Sequence, residues 1–328
     1  MVIGTTARNG RPQHAAPAPD TRTLTVPGRP KMRYKRGDAL AGMLFVLPAT
    51  VFIFVFMLYP LVSSGVLSFT DYNFVRDPSP TPVGFDNYIQ AINDPLFRVA
   101  LWNTLVYGIS YFIAVMVLSL ALAMLLFRKL RFNAFYRSAV FMPIVVPLSL
   151  AGLIFVWILQ PNYGLLNHVI GNVFGLPGLT RAWLSEGTTA MAAIVVLSLW
   201  ATVGFLTILF LSGLQAIPEE ILEAAEIDGA GGWKRFTHII LPSLRPTFVI
   251  TGTWGVLHSL KVFVEPMVLT DGGPGTSTLV LYQQIYTTAF NYFNMGYASA
   301  MGYILGAIIL ALIGVNYFIS MGRSRREA

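Results

Sequence analysis

Long runs without Asp, Glu, Lys or Arg alternate along the chain with short polar segments. Six such runs stand out: Ala39–Thr70, Val99–Phe127, Ser138–Leu159, Gly187–Pro218, Pro246–Leu260 and Gly296–Gly322. A helix needs about 20 mostly apolar residues to cross the hydrocarbon core of a bilayer. Five runs reach that length, and Pro246–Leu260 does so if Lys261 is tolerated at its end. The pattern predicts an all-α membrane protein with six transmembrane helices. A soluble helical core has no use for so many charge-free stretches.

Composition points the same way. Of 328 residues, 55% are hydrophobic and only 11% are charged, against about 25% charged in a soluble domain. That composition argues against a cytosolic enzyme. The absence of cysteine removes disulfides, thiolate chemistry, iron–sulfur clusters and Cys-type zinc sites.

The formal charge of +7 is distributed by loop. Arg8, Arg11, Arg22, Arg29, Lys31, Arg33, Lys35 and Arg36 precede the first run. Arg128, Lys129, Arg131 and Arg137 follow the second, Lys234, Arg235 and Arg245 follow the fourth, and Arg323, Arg325 and Arg326 end the chain. The alternate loops hold only Arg76, Arg98 and Arg181. The positive-inside rule places both termini in the cytoplasm, and an even helix count agrees. Topology accounts for the basic charge, so nucleic acid is not needed as a partner; membrane lipid is.

Residues 1–37 are rich in Pro, Arg, Ala and Thr. Too little of this segment is apolar to offset its ordering entropy, so it reads as a disordered basic cytoplasmic tail, with the transmembrane domain over 38–328. It has no apolar core of the kind a cleaved signal peptide carries. Met32 opens a stretch that resembles a normal start, and residues 1–31 read as a dispensable extension or an over-called start. The outer segments are short. Asp71–Arg98 carries Pro78, Pro80 and Pro82, then Phe85, Tyr88 and Ile89 in a pattern suited to a short interfacial helix. Neither it nor Gln160–Glu186 is long enough for a folded external domain, so substrate capture falls to another chain.

The segment Gln215–Pro246 is the most informative. Pro218 suits the first turn of a helix, and Glu219 and Glu220 suit the positive end of its dipole. Ile221, Leu222, Ala224, Ala225 and Ile227 give it a small, apolar contact face, and Gly229 is placed to stop it. A second segment, Trp233–Leu241, is expected to end at Pro242. A solvated connector does not need this face; a docking element does.

Here a family resemblance enters. Glu223-Ala224-Ala225, Gly229, Ile239 and Leu241-Pro242 match the EAA loop of the membrane-spanning subunits of bacterial binding-protein-dependent ABC importers. Leu269-Thr270-Asp271-Gly272-Gly273-Pro274, Thr278-Leu279 and Met295-Gly296-Tyr297-Ala298-Ser299-Ala300 are similar to the first permease subunit of the carbohydrate branch, which takes up sugars and glycerol-3-phosphate. Gly42–Phe69, with Pro48, Tyr59-Pro60 and Ser68-Phe69, resembles the same branch. The likeness spans about Ala39 to Tyr317. The chain lacks the extra N-terminal helices and large outer domain of the maltose-type subunit.

The resemblance implies a type I ABC importer permease fold in the bacterial plasma membrane. It implies a homologous second permease, an ATP-binding subunit dimer, an extracytoplasmic solute-binding protein and a sugar substrate. The EAA loop would be the coupling helix: Glu223 a polar contact to the ATPase, Ala224 and Ala225 permitting close approach, with Asp228, Gly229 and Pro242 shaping the element. Alignment on Leu214-Gln215 and Gly272-Gly273-Pro274 carries substrate contact to Ser198, Thr202, Phe205, Gly255 and Ser259. Several of these are hydroxyls where the family often has amides.

The residues add their own argument. Ser198, Thr202 and Phe205 fall on one helical stripe. Trp254, His258, Ser259, Lys261 and Glu265 are unusual for a membrane span, and intramembrane polar groups carry a functional hypothesis. His258, Lys261 and Glu265 share a face at helical spacing, with Lys261 and Glu265 spaced as a pair. His258 and Lys261 join the substrate-binding candidates; helix packing and a structural ion pair are the plain alternatives. No GxxxxGK[ST] loop is present, so ATP hydrolysis belongs to a separate subunit. His14, His168, His238 and His258 form no metal-spaced cluster with carboxylates. The chain is expected to be a non-catalytic permease subunit with no catalytic residue, no metal and no cofactor of its own. A phosphorylated polyol such as glycerol-3-phosphate is the alternative substrate, favoured by Lys261. A stand-alone transporter using Lys261 and Glu265, or a membrane scaffold, are the rival classes.

Overall fold

The computed structural model describes residue 4 and residues 36–128 and 131–321. The expected disordered tail lies outside the described residues except for positions 4, 36 and 37, and so do Arg323, Arg325 and Arg326. By its contacts the chain divides between Phe56 and Met57. The N-terminal unit contributes α1 (Arg36–Ile53) and a π-turn beginning at Phe54.

The second unit contains α2 (Tyr59–Leu67), strands β1 (Thr70–Asp71) and β2 (Thr81–Pro82), α3 (Asp86–Asn93), α4 (Pro95–Phe127), α5 (Asn133–Phe141), α6 (Leu148–Ile158), α7 (Leu165–His168) and α8 (Gly187–Gln215). It continues with α9 (Glu219–Ile227), α10 (Gly232–Arg235), α11 (Leu241–Ser243), α12 (Arg245–Leu260), α13 (Val264–Leu269), α14 (Leu281–Tyr286) and α15 (Met295–Met321). The fold among the described residues is all-α apart from the two-residue antiparallel pairing of β1 with β2 and an isolated bridge between Asn73 and Asn294. Among the described residues five helical stretches are long and apolar enough to cross a membrane, or up to six if one bent pair counts as a span.

That bent pair corrects the sequence expectation. Ser138–Leu159 was expected as one helix; α5 and its 3-10 extension to Val145 meet α6 at 96°. Two prolines explain the bend. Pro143 opens the 3-10 turn, and Pro147 forces Val146 to an extended conformation with φ −74° and ψ 126°, because a proline ring crowds the α conformation of the residue before it.

The longest helix starts where its cap allows. Asp94 is extended at φ −70° and ψ 117°, its side chain accepts from Leu96 N at 2.9 Å, and Pro95 takes the first-turn position that needs no donor. Tyr297 Oη donates to the same carboxylate at 2.8 Å, linking α15 to this corner. The expected short helix near Phe85 is α3, and Asn87 anchors it by donating to the Ser68 and Thr70 carbonyls. In the loop between the strands, Arg76 clasps Asp77 and Asp71. The hydrogen bond from Arg76 holds the Asp77 carboxyl below the usual carboxylate range.

α4 and α8 form the centre of the second unit. They run in the same direction: Tyr107 meets Ser198 and Tyr111 meets Thr202, each pair 91 residues apart. The largest fully buried side chains include these two tyrosines, while Leu310 and Phe318 are 72% and 75% exposed. This distribution suits a surface solvated by lipid tails.

Candidate functional site

The glycine and glutamates of the Gln215–Pro246 segment form two connected helical pieces. Pro218 is the N-cap residue of α9 rather than a member of its first turn, and Glu219 and Glu220 follow it. Gly229 adopts φ +72° and completes a Schellman ending, with Gly229 N donating to the Glu226 carbonyl and Ala230 N to the Ala225 carbonyl. A left-handed residue at this position favours glycine. Ala225 is buried, whereas Glu223, Ala224 and Asp228 are exposed, and so are Ile221 and, at 86%, Ile227. A cavity of about 1080 Å³ opens beside α9, lined in part by Phe127, Gln215, Glu223, Glu226 and Phe236.

The expected stop at Pro242 does not occur. The helix runs through a π-turn at Phe236–Ile240 into α11, with Pro242 in its first turn. The bonding switches there from i+5 to i+4 spacing, so the proline's missing donor is absorbed at the switch. One residue, Leu244, then leads into α12.

The second cluster lies among α4, α8, α12 and α13. Ser198 and Thr202 face α4, where Tyr107 Oη donates to Ser198 Oγ at 2.8 Å and Tyr111 Oη lies 2.9 Å from Thr202 Oγ1. Ser198 Oγ also lies 2.9 Å from Glu265 Oε1, to which it donates. Glu265 is 3% exposed, and His258 Nε2 stands 3.8 Å from the same carboxyl oxygen. The His258 ring stacks on Trp254 at 4.9 Å and lies 5.3 Å from Tyr111, while Phe205 packs on Trp254 at 5.2 Å. Ser198, Thr202, Phe205 and His258 therefore converge as one cluster of hydroxyl, carboxyl and aromatic groups.

The other candidates lie elsewhere. Gly255 faces the Phe112 ring, where a Cβ would approach to 3.1 Å. Ser259 donates to its own helix at Val256 O and lies beside Gly108. Both belong to the neighbouring face of α12. Lys261 is exposed at the end of that helix. The expected shared face of His258, Lys261 and Glu265 is corrected for Lys261: α12 stops at Leu260, and Phe263 leaves the helical conformation at φ −150° and ψ −54° before α13 begins, while His258 and Glu265 still face each other. With the helical register broken, Glu265 turns inward to Ser198 and Lys261 turns out. Sequence reasoning missed Tyr107 and Tyr111, whose spacing of four within an otherwise apolar run was the available signal.

Relatives align with most of this chain. The sulfoquinovosyl glycerol transport system permease protein SmoG of Agrobacterium fabrum is 32% identical over 279 residues, covering 85% of this chain and 90% of that protein. The arabinooligosaccharides transport system permease protein AraP of Bacillus subtilis is 35% identical over 283 residues, covering 85% and 88%. A chain in the crystal structure of a bacterial ABC transporter involved in the import of the acidic polysaccharide alginate superposes with a TM-score of 0.74 at 22% identity, covering 87% of this chain and 96% of that one. The family profile described as binding-protein-dependent transport system inner membrane component matches residues 115–326. A multi-pass helical protein with that match over most of its length belongs to the binding-protein-dependent transport system inner membrane component family.

Proposed function

We propose that this chain is the first of two homologous permease subunits of an ABC importer that carries a neutral sugar across the bacterial plasma membrane. An external binding protein delivers the sugar, and two ATP-binding subunits drive alternating access. α9 is the coupling helix: exposed Glu223, Ala224 and Asp228, with Ile221 and Ile227 beside them, form the face offered to the ATPase. Its rigid Schellman ending at Gly229 and the continuous path through Pro242 into α12 give movement at that face a route to Ser198, Thr202, Phe205 and His258.

The observation that carries the substrate reading is the orientation at the α12–α13 break. Hydroxyl groups face aromatic rings, a combination suited to the polar rims and apolar faces of a sugar. Lys261, the residue that favoured a phosphorylated polyol, is exposed outside the cluster. Gly255, Ser259 and Lys261 are assigned to the rim of the path.

Six crossings with both termini cytoplasmic fit this role. The constant offset of the tyrosine contacts supports them: two spans running in the same direction need an odd number of crossings between them, and the bent pair of α5 and α6 supplies one.

The test begins with affinity purification of the tagged chain from native membranes in mild detergent. Mass spectrometry is expected to recover a second permease, an ATPase and a binding protein. ATP-driven uptake by the reconstituted complex should accept a neutral sugar, compete weakly with glycerol-3-phosphate and survive Lys261→Gln. Transport by this chain alone, or uptake that requires Lys261 and prefers the phosphorylated competitor, overturns the reading.

A further inference from the structure

We propose that Glu265 is a positioning residue that sets the hydrogen-bonding direction of the substrate path; this rests on the reading of the α4–α8–α12 cluster as that path. Glu265 touches no substrate in this account. It acts through Ser198.

The Ser198 hydroxyl has one hydrogen and two acceptors within reach. One is the Ile194 carbonyl of its own helix at 3.1 Å; the other is Glu265 Oε1 at 2.9 Å. Serines in membrane helices commonly bond back to the preceding turn. The carboxyl offers a shorter bond in a different direction. The lone pairs of Ser198 Oγ are taken in turn by Tyr107 Oη at 2.8 Å. Tyr107, Ser198 and Glu265 thus form a polarised series running from α4 through α8 to α13. Thr202, one turn further on, lacks such an acceptor and bonds back to the Ser198 carbonyl at 2.6 Å.

The same carboxyl oxygen faces His258 Nε2 at 3.8 Å, and that nitrogen is buried with no hydrogen-bond partner. His258 is otherwise fixed by its stack on Trp254. Glu265 therefore orders Ser198 by a hydrogen bond and faces His258 across a gap longer than one.

A purely structural role is served better by another residue. α13 packs against α6 and α8, and an apolar side chain of similar volume holds such a contact without placing a carboxyl in a lipid-embedded fold. Keeping an acidic acceptor, 3% exposed, makes sense when the direction of the hydroxyl matters. A sugar site discriminates its ligand by matching donors to acceptors, and an unmatched buried group is heavily penalised.

The experiment uses the full complex in proteoliposomes, with radiolabelled lactose, trehalose and arabinotriose offered in turn to wild type, Glu265→Leu and Glu265→Gln. For the sugar that wild type takes up, Glu265→Leu is expected to raise KM by roughly tenfold, the scale of one lost hydrogen bond. Vmax and the recovery of intact complex stay near wild type. Glu265→Gln keeps an acceptor at the same place and is expected to restore KM to within about threefold. An unchanged KM in Glu265→Leu overturns the proposal, and so does a Gln variant as impaired as the Leu variant. Poor recovery of complex with unchanged KM assigns Glu265 to packing alone and also overturns it. If the complex instead takes up glycerol-3-phosphate and none of the three sugars, the functional reading falls and this one falls with it.

Discussion

Gly204 lies within α8 where it crosses the backbone of α5. A Cβ there would stand 1.9 Å from the Val140 carbonyl oxygen, 2.7 Å from its carbonyl carbon and 3.0 Å from Phe141 Cα. Ordinary contact begins at 3.4 Å, so Gly204→Ala demands a separation of 1.5 Å (3.4 minus 1.9) at the closest atom. Every obstructing atom is main chain, and no rotamer change relieves it. Helix propensity favours alanine by roughly 0.5–1 kcal/mol, while over-packing costs roughly 1–3 kcal/mol, so the clash wins. Gly314→Ala is the matched control: it is also helical, with nothing within 4 Å, and should be neutral or stabilising. The assay is the temperature at which half of the detergent-solubilised complex remains monodisperse by size exclusion. Gly204→Ala is expected to lower it and to reduce uptake, since Thr202 and Phe205 flank the displaced position. A Gly204→Ala complex as stable as wild type would refute the reasoning.

Three further outcomes are expected. Ala225→Asp and Gly229→Asp should abolish transport while the external binding protein still docks, the first by charging a buried position and the second by straining a residue at φ +72°; normal substrate-stimulated ATP hydrolysis in either variant sinks the coupling assignment. Asn167 holds the segment between α6 and α8, donating to the Pro161 and Arg181 carbonyls and accepting from Trp183 Nε1 and Arg181 N. Asn167→Leu strands those groups at about 1–3 kcal/mol for each that stays buried, and a red-shifted Trp183 emission reads the loss. The hydrogen bond from Arg76 depresses the Asp77 carboxyl when folded, so the clasp is present at neutral pH and lost as pH falls through that depressed value, below the usual carboxylate range. Asp77→Asn mimics the protonated state at neutral pH and should quicken tryptic cleavage after Arg76; an unchanged rate contradicts the clasp.

The long spans were legible because lipid tolerates so few charges: the predicted Val99–Phe127 and Gly187–Pro218 correspond to α4 and α8. The stop at Gly229 was legible because glycine alone adopts its backbone conformation cheaply. Local pattern failed where the local signal was contradictory or silent. Pro143 and Pro147 sit in a run apolar enough to span, and hydropathy hid the bend they impose. Pro242 looked like a stop, yet a π-turn absorbed it. Nothing near Lys261 announced the end of α12, so a helical spacing was extended across a break and paired the wrong partners. Tyr107 and Tyr111 went unnoticed because an aromatic in an apolar run resembles packing until its hydroxyl finds a partner on another helix.

The tyrosine, serine and threonine contacts joining α4 to α8 also decide which substitutions this protein notices. In water, a fold punishes the loss of greasy side chains from its centre, because solvent drives them together. Lipid tails exert no such drive, so association relies on close fit and on bonds between polar groups, worth on average about 0.6 kcal/mol each and at most about 1.7. Tolerance is thereby turned inside out. Phe45, at 88% exposure, should accept almost any apolar replacement, whereas Ser198→Ala or Thr202→Val, mild by any aqueous scale, should register. A survey of tolerated changes in this chain is expected to recover the central hydroxyls before exposed apolar positions such as Phe45.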